Sequence, residues 1–317
     1  MNEEKIKQWR EKGYIICDGI ANNIIDNNAI VNSNVFLQDI YKNGELPVKD
    51  FGSEGKLEFP SNTMMDDIMI NENIIKCAQQ LLGTPEILLV QADTWGKLGR
   101  DDCSEFSNNN QRMHMDYPHN GFLHPSEWDN PECVGMILYL SDTKKTGGGT
   151  AVVPRINQDD DLYTFPYKNM PGIGEYPFYN DKDIAEEYFK KNDVDVYNFR
   201  QELHNREIIT QPKMGDILFY RLDLWHRGTP VNKGEIRFVI NLLWKKKECF
   251  WINCWNAGWS RKMYDGHVER LFTRMTPLQR YVLGIPLPGD KYWDITKINL
   301  LKIRYPDIDI EPYLAEL

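Results

Sequence analysis

Nothing in the 317-residue sequence sets two cysteines at C-x-x-C spacing. Its six cysteines, Cys17, Cys77, Cys103, Cys133, Cys249 and Cys254, are scattered. That argues against a zinc ribbon or a disulfide framework and suits reduced thiols in a cytoplasmic compartment. No stretch approaches the roughly 18 consecutive apolar residues of a membrane span, so no membrane role is expected. The opening MNEEKIKQWREKGYIICDGI is too charged for a secretory leader. Positive charge is in short supply, 37 Lys and Arg against 47 Asp and Glu, for a net charge of −10. Nucleic acid is thereby disfavoured as a partner, because its binding draws on a basic stripe. The one basic run, Lys245-Lys246-Lys247, reads as a solvated strand end. Neither G-x-S-x-G nor G-x-x-x-x-G-K-[ST] occurs, which removes the serine-hydrolase and phosphate-loop readings. Gly147-Gly148-Gly149 reads as a turn between strands.

What is present is enough apolar material, 41% of residues, for a sizeable core. Residues 1–85 read as a mainly helical preface: Glu3–Glu11 as a short helix, Ala21–Tyr41 as a mixed segment, Asn71–Leu82 as an amphipathic helix stopped by Gly83. From Pro85 the pattern shifts to short runs rich in Val, Ile, Tyr, Phe and Trp between Gly, Pro or Asp. They are Glu86–Leu98, Gln111–Tyr117, Val134–Leu140, Gly149–Val153, Arg206–Thr210, Asp216–Arg221, Leu224–Arg227 and Ile236–Trp244. This pattern predicts a mainly β fold with helical flanks, a barrel or jelly roll over about 86–247. The polar, tyrosine-rich stretch 154–205 is expected to insert over one barrel mouth, as a lid or as structural filler. After residue 247, CFWINCWNAGW leads into a helical extension over 248–317, with Thr276-Pro277 as a helix start. No repeat or linker divides the chain, so one domain over 1–317 is expected.

Within the β-rich part stands His114-Met115-Asp116, followed far downstream by His226 and, eleven residues later, Arg237. Side chains alternate along a strand, so Arg112, His114 and Asp116 share a face and the latter two can chelate one ion. Two imidazoles and one carboxylate are the donors of an open non-haem Fe(II) site. A structural zinc site would close its fourth position. H-x-D alone is a weak signal, since His and Asp near strand ends often serve turns; His226 and Arg237 sharpen it. His119, His124, His204 and His267 compete as ligands, with the loop positions of His119 and His124 better suited to peripheral roles. Arg237 sits in the strand pattern EIRFVINLLW, where a charge facing inward needs a partner. That partner is either a cosubstrate carboxylate gripped by the guanidinium or an acidic neighbour. Thr229 could offer its hydroxyl to the same carboxylate or serve a turn.

On these motifs the chain resembles the phytanoyl-CoA dioxygenase family of Fe(II)/2-oxoglutarate oxygenases, which carries H-x-D, a distal His and an Arg about eleven residues later. The resemblance extends over EKGYIICDGI, LLGTPEILLVQADTWGKLG, ILYLSDTKKTGGGTAVVP and TPLQRYVLGIPLPGDKYW. It departs at Pro154-Arg155-Ile156, where many members have Gly-Ser-His. The resemblance implies a double-stranded β-helix (cupin-like jelly roll) with His114, Asp116 and His226 as metal ligands. It also implies 2-oxoglutarate held by Arg237, O₂ as oxidant, and ascorbate as a help in vitro. The implied chemistry is oxidation of a C–H bond coupled to decarboxylation of 2-oxoglutarate to succinate and CO₂. Asp116 fits the hydroxylating pattern and not the halogenases, in which a small residue replaces it. Oxidative ring closure or desaturation, as in a kainoid-type cyclase, is the alternative outcome of the same chemistry. A small or medium carboxylated metabolite is the expected substrate, met by Arg112, with Arg155, Tyr139 and Trp95 completing the pocket. The rival readings are a non-catalytic metal-binding barrel and a cupin-type enzyme that needs no 2-oxoacid.

Overall fold

The computed structural model describes residues 1–45, 55–101, 107–116, 128–163, 169–171, 176–249, 267–283 and 285–317. The chain opens with helix α1 (Glu3–Lys12), whose N-cap Asn2 accepts from the Lys5 amide and whose end is set by Gly13 at φ 90°. Strand β1 (Tyr14–Asp18) follows at once, half-buried in strict alternation. Then come α2 (Asn27–Lys42), β2 (Gly55–Glu58), α3 (Met64–Met69) and α4 (Glu72–Leu82). The barrel proper adds β3 (Ile87–Leu98), β4 (Cys133–Tyr139), α5 (Thr143–Thr146) and β5 (Thr150–Val152). Helices α6 (Lys182–Asn192) and α7 (Val194–Arg206) precede β6 (Ile208–Ile209), β7 (Asp216–Tyr220), β8 (His226–Gly228) and β9 (Ile236–Lys246). Among the described residues, the chain closes with α8 (His267–Arg274), α9 (Pro277–Tyr281), α10 (Ile295–Arg304) and α11 (Glu311–Leu314).

Six strands form a major sheet in the order β1-β7-β4-β9-β3-β2, and three form a minor sheet, β6-β5-β8. The backbone around residue 114 extends the minor sheet, because His114 and His226 exchange both amide bonds at 2.9 Å. The two sheets face each other across a cavity, the double-stranded β-helix arrangement expected from the strand spacing.

Residues 1–85 are mainly helical as expected, but they also carry two strands: β1 pairs with β7, and β2 pairs with β3, so both edges of the major sheet come from this region. Tyr14–Asp18 is a five-residue alternating run, too short to stand out beside the helical patterns around it. Two expectations need correction. The run Gln111–Tyr117 does not form a regular strand; bridges occur at Gln111 and His114, and Tyr117 lies outside the described residues. Arg206 ends α7, leaving only Ile208–Ile209 as strand. The start at Thr276-Pro277 is as expected, with a full capping box between Thr276 and Gln279.

The core lies in two layers that sandwich the sheets. On the outer face of the major sheet, Trp9, Ile30, Ile74, Leu81, Phe238 and Trp244 pack between the sheet and the helices. Behind the minor sheet, Met113, Met115 and Trp225 pack on Leu162, Tyr163 and Leu203 from the 154–205 region. That region therefore serves largely as a wall behind the segment carrying His114 and Asp116. No helix among the described residues is long and apolar enough to cross a membrane. Of the basic run, Lys246 and Lys247 bond Asn130 and Glu86, whereas Lys245 is buried and not solvated.

Candidate metal centre

Alternation along 112–116 separates two kinds of side chain. Met113 and Met115 are fully buried behind the sheet, and Arg112, His114 and Asp116 turn into the cavity. The paired amide bonds between His114 and His226 bring their rings to a centroid distance of 4.4 Å. Asp116 donates its amide to Leu222 O at 2.9 Å, in the reversal that Arg221 and Asp223 clamp with two 2.8 Å bonds. The Asp116 carboxylate then lies 3.4 Å from His114 Nε2 and 3.6 Å from His226 Nε2. One ligand atom from each of the three residues lies within 4.8 Å of the others.

Each imidazole is oriented by its other nitrogen. His114 Nδ1 is 2.9 Å from Arg112 O, and His226 Nδ1 is 2.9 Å from Leu224 O. A carbonyl only accepts, so both Nδ1 atoms carry the proton and both Nε2 lone pairs point at the carboxylate. Burial, with His226 beside it, pushes the His114 imidazole down to about 3, leaving it neutral and able to ligate. Burial alone would raise the Asp116 carboxyl. His226, His114 and the Tyr220 hydroxyl outweigh it and hold the group below the usual carboxylate range. Tyr220 donates to Asp116 Oδ2 at 2.7 Å, and a Cβ on its cross-strand partner Gly135 would lie 2.5 Å from the Tyr220 ring. Among the described residues no further His, Cys, Asp or Glu joins the group. Three donors facing a cavity fit an open Fe(II) centre and not a closed zinc site.

The cavity has a volume of about 320 Å³ and runs between the sheets. His114, Asp116, His226 and Arg112 line it together with Trp95 and Arg237. Arg237 is 9% exposed, donates from Nη1 to Gly148 O, and has a buried Nε without a partner. No carboxylate of the described residues pairs with it, so the acidic-neighbour alternative is not what the fold provides. Thr229 is held by the neighbouring strand. Its hydroxyl donates to Gly149 O at 2.7 Å, and it is its backbone oxygen that faces a cavity-lining group, Lys97, at 3.2 Å. Tyr139 shares the face of the lining residues Ile137 and Val239, with the Arg237 guanidinium 6.0 Å from its ring and its hydroxyl 2.7 Å from that of the lining residue Thr150. Arg155 is away from the cavity, stacked 4.6 Å over Trp128 and bonded to Gln158 O. Trp95 lines the cavity with its buried indole N–H unpartnered.

Arg112 Nη1 donates to Asn180 Oδ1 at 2.8 Å, and its guanidinium lies 4.6 Å over Phe178. Phe178 and Asn180 are thus where the 154–205 region reaches the cavity. Burial, with Arg200 nearby, pushes the Arg112 guanidinium down to about 10. Of the competing histidines, His204 bonds Glu186 and faces Glu207, far from the triad in its contacts. His119 and His124 lie outside the described residues, and for His267 only the backbone falls within them. Sequence reasoning overlooked Tyr220 and Lys97. The first could have been found from the alternation 216, 218, 220 that ends near His226, and the second from its place two residues after Trp95 on the inward face of β3.

The fold is a double-stranded β-helix, and its centre is a two-histidine, one-carboxylate triad. No family model and no curated protein matches the sequence. Solved structures do share the fold. A non-haem α-ketoglutarate-dependent carbocyclase, SnoK from nogalamycin biosynthesis, is 11% identical with a TM-score of 0.55, covering 82% of this chain and 90% of its own. The epimerase SnoN, in complex with Fe3+, α-ketoglutarate and nogalamycin RO, is 13% identical with a TM-score of 0.53, covering 77% and 83%. EctD from S. alaskensis with bound Fe is 13% identical with a TM-score of 0.52, covering 80% and 79%.

Proposed function

We propose that this protein is an Fe(II)/2-oxoglutarate-dependent oxygenase of the phytanoyl-CoA dioxygenase type that oxidises a C–H bond of a small or medium, carboxylated metabolite. The observation that carries the reading is the open triad facing the same cavity as Arg237, a buried guanidinium with no carboxylate partner among the described residues. Bound at the triad, Fe(II) with 2-oxoglutarate and O₂ supplies oxidative decarboxylation to succinate and CO₂ and the power to oxidise an unactivated C–H bond. The chain's own residues do the placing. His114 and His226 turn Nε2 toward the triad carboxylate because Nδ1 of each is committed to a backbone carbonyl. Tyr220 fixes the carboxylate that completes the donor set. Arg237 is the natural partner for the distal carboxylate of 2-oxoglutarate, by bidentate contact of the kind guanidinium favours. Ile137, Val239 and Leu243 give the same cavity an apolar part of its wall.

Arg112, on the face of the segment that holds His114 and Asp116, is positioned to meet an anionic group of the substrate. Hydroxylation transfers one oxygen atom of O₂ to the substrate and the other to succinate. Ring closure or desaturation would instead remove two hydrogens from the substrate and release water. The carbocyclase and epimerase that share this fold indicate how many outcomes such a barrel accommodates. The buried free thiols of Cys17, Cys77, Cys133 and Cys249 suit a reducing, cytoplasmic setting. The test is succinate formation from 2-oxoglutarate by the Fe(II)-loaded protein in air with ascorbate, screened across carboxylated metabolites. Substrate-stimulated succinate is the expected result. Product formation without 2-oxoglutarate would select the cupin-type alternative, and metal retention with no turnover a binding barrel.

A further inference from the structure

Lys97 is the buried charge that the oxygenase reading leaves without a task. It is 3% exposed, lines the cavity, and stands directly opposite Arg237 in the antiparallel pairing of β3 and β9. Directly opposed residues on one sheet face have Cβ atoms about 5 Å apart, so the two cationic side chains enter the cavity as neighbours. Its Nζ donates to the neutral Thr229 carbonyl at 3.2 Å. Burial and the positive charges of Arg237 and Arg227 push its ammonium well below the usual lysine value, with no acidic group of the described residues opposing them. Two basic side chains at neighbouring positions in one cavity disfavour each other's charge, and no carboxylate of the described residues compensates them. The surrounding backbone is shaped to admit them. A Cβ on Gly148 would lie 3.1 Å from Arg237 Cδ, and one on Gly228 would lie 3.3 Å from Lys97 Nζ.

We infer that Lys97 and Arg237 together form a dicationic seat for one carboxylate, with Lys97 the residue that makes the site selective for 2-oxo diacids over 2-oxo monoacids. The inference rests on the proposed oxygenase reading and adds to it a specificity determinant contributed by β3. A carboxylate bridging the two heads would accept from the unpartnered Arg237 Nε and from Lys97 Nζ at once, offsetting the repulsion between them. Its energetic mark is that Lys97 matters for the distal carboxylate and not for the 2-oxo acid end.

The experiment is anaerobic calorimetric titration of the Mn(II)-loaded protein with 2-oxoglutarate and, separately, with 2-oxobutyrate, which lacks the distal carboxylate. Wild type is expected to bind the diacid more tightly. Lys97→Met should weaken 2-oxoglutarate binding by about 10–100-fold, the scale of a charge-assisted hydrogen bond, and leave 2-oxobutyrate binding unchanged. Lys97→Gln, which keeps a donor for Thr229 O, should show the same diacid-selective loss. In the ligand-free state the Tm of Lys97→Met should be equal to or above that of wild type, because an uncompensated buried cation has been removed. Unchanged 2-oxoglutarate affinity in both variants, or an equal loss for both acids, overturns the role of Lys97 while leaving the oxygenase reading in place. Wild type that binds neither acid with metal present overturns both.

Discussion

At Asp116 two imidazoles and a phenol share one carboxylate, and this sharing sets what each residue can be expected to do. Tyr220 does not reach for a metal; it holds Asp116 Oδ2 at 2.7 Å and stacks near His226. Removing its hydroxyl should therefore leave the fold intact and loosen the carboxylate. Tyr220→Phe is expected to lower Fe(II) affinity about 10–100-fold, the usual size of an outer hydrogen bond on a metal ligand, as read by anaerobic metal titration. Unaltered affinity would mean that the histidines orient Asp116 without help. Arg112 differs, because it both lines the cavity and ties Asn180 to the ligand segment. Arg112→Gln should raise KM for the substrate about 10-fold or more while 2-oxoglutarate affinity stays near wild type. A parallel loss of both would assign Arg112 to the architecture instead of the substrate. The residue scale was well legible in the sequence for the triad and Arg237, since residue type, order and the two-residue alternation define them. Arg155 turns away from the cavity, because a cationic side chain near a motif says nothing about which way the next loop turns.

Elements hold these residues through a few charged joints. Helix α7 is fastened to β8 by Glu207, which accepts from Arg227 Nε and Nη2 at 2.7 Å each, one residue after His226. Burial would raise the Glu207 carboxyl, but Arg227 and His204 hold it down to about 2 from its ordinary 4.5. A carboxylate lowered on folding stabilises the folded state fully above its unfolded value, and that contribution is lost as the pH falls through the folded one. Acid unfolding should thus steepen between about pH 4.5 and 2. Glu207→Gln should flatten that window and cost about 2 kcal/mol at pH 7, by denaturant titration. If the slope with pH is the same in both proteins, the joint is not what acid breaks. A second joint is the turn between α5 and β5, where Gly148 adopts φ 72° and gives its carbonyl to Arg237. A methyl there would meet Val231 Cγ2 at 2.6 Å, so Gly148→Ala should destabilise the protein by about 1–3 kcal/mol and weaken 2-oxoglutarate binding in the same calorimetric assay. The Gly147-Gly148-Gly149 turn was readable from composition. Its bond to Arg237 was not, because nearly ninety residues separate the partners and only the sheet pairing brings them together.

Across the whole molecule, helices, major sheet, cavity, minor sheet and the 154–205 wall lie in succession, and the metal centre occupies the middle. This order explains why core damage and site damage should separate. Ile74→Ala, in α4 on the far side of the major sheet, is expected to cost about 2–5 kcal/mol by thermal or denaturant unfolding without changing metal affinity in the folded protein. A change in both would indicate that the helical layer transmits strain through β3 and β9 to the cavity. The sequence by itself determined the β-rich centre, the helix caps, the three residues of the candidate metal triad and the arginine proposed to hold a carboxylate. Periodicity and residue chemistry are local, and His114, Asp116, His226 and Arg237 each carry their meaning in their own few neighbours. Only the tertiary structure decided that Tyr14–Asp18 and Gly55–Glu58 edge the major sheet and that Tyr220 anchors Asp116. It also placed the 154–205 region behind the ligand segment and set Lys97 beside Arg237. Each of these depends on strand register or on a long-range packing choice, and a register is settled by what the far side of the sheet can bury.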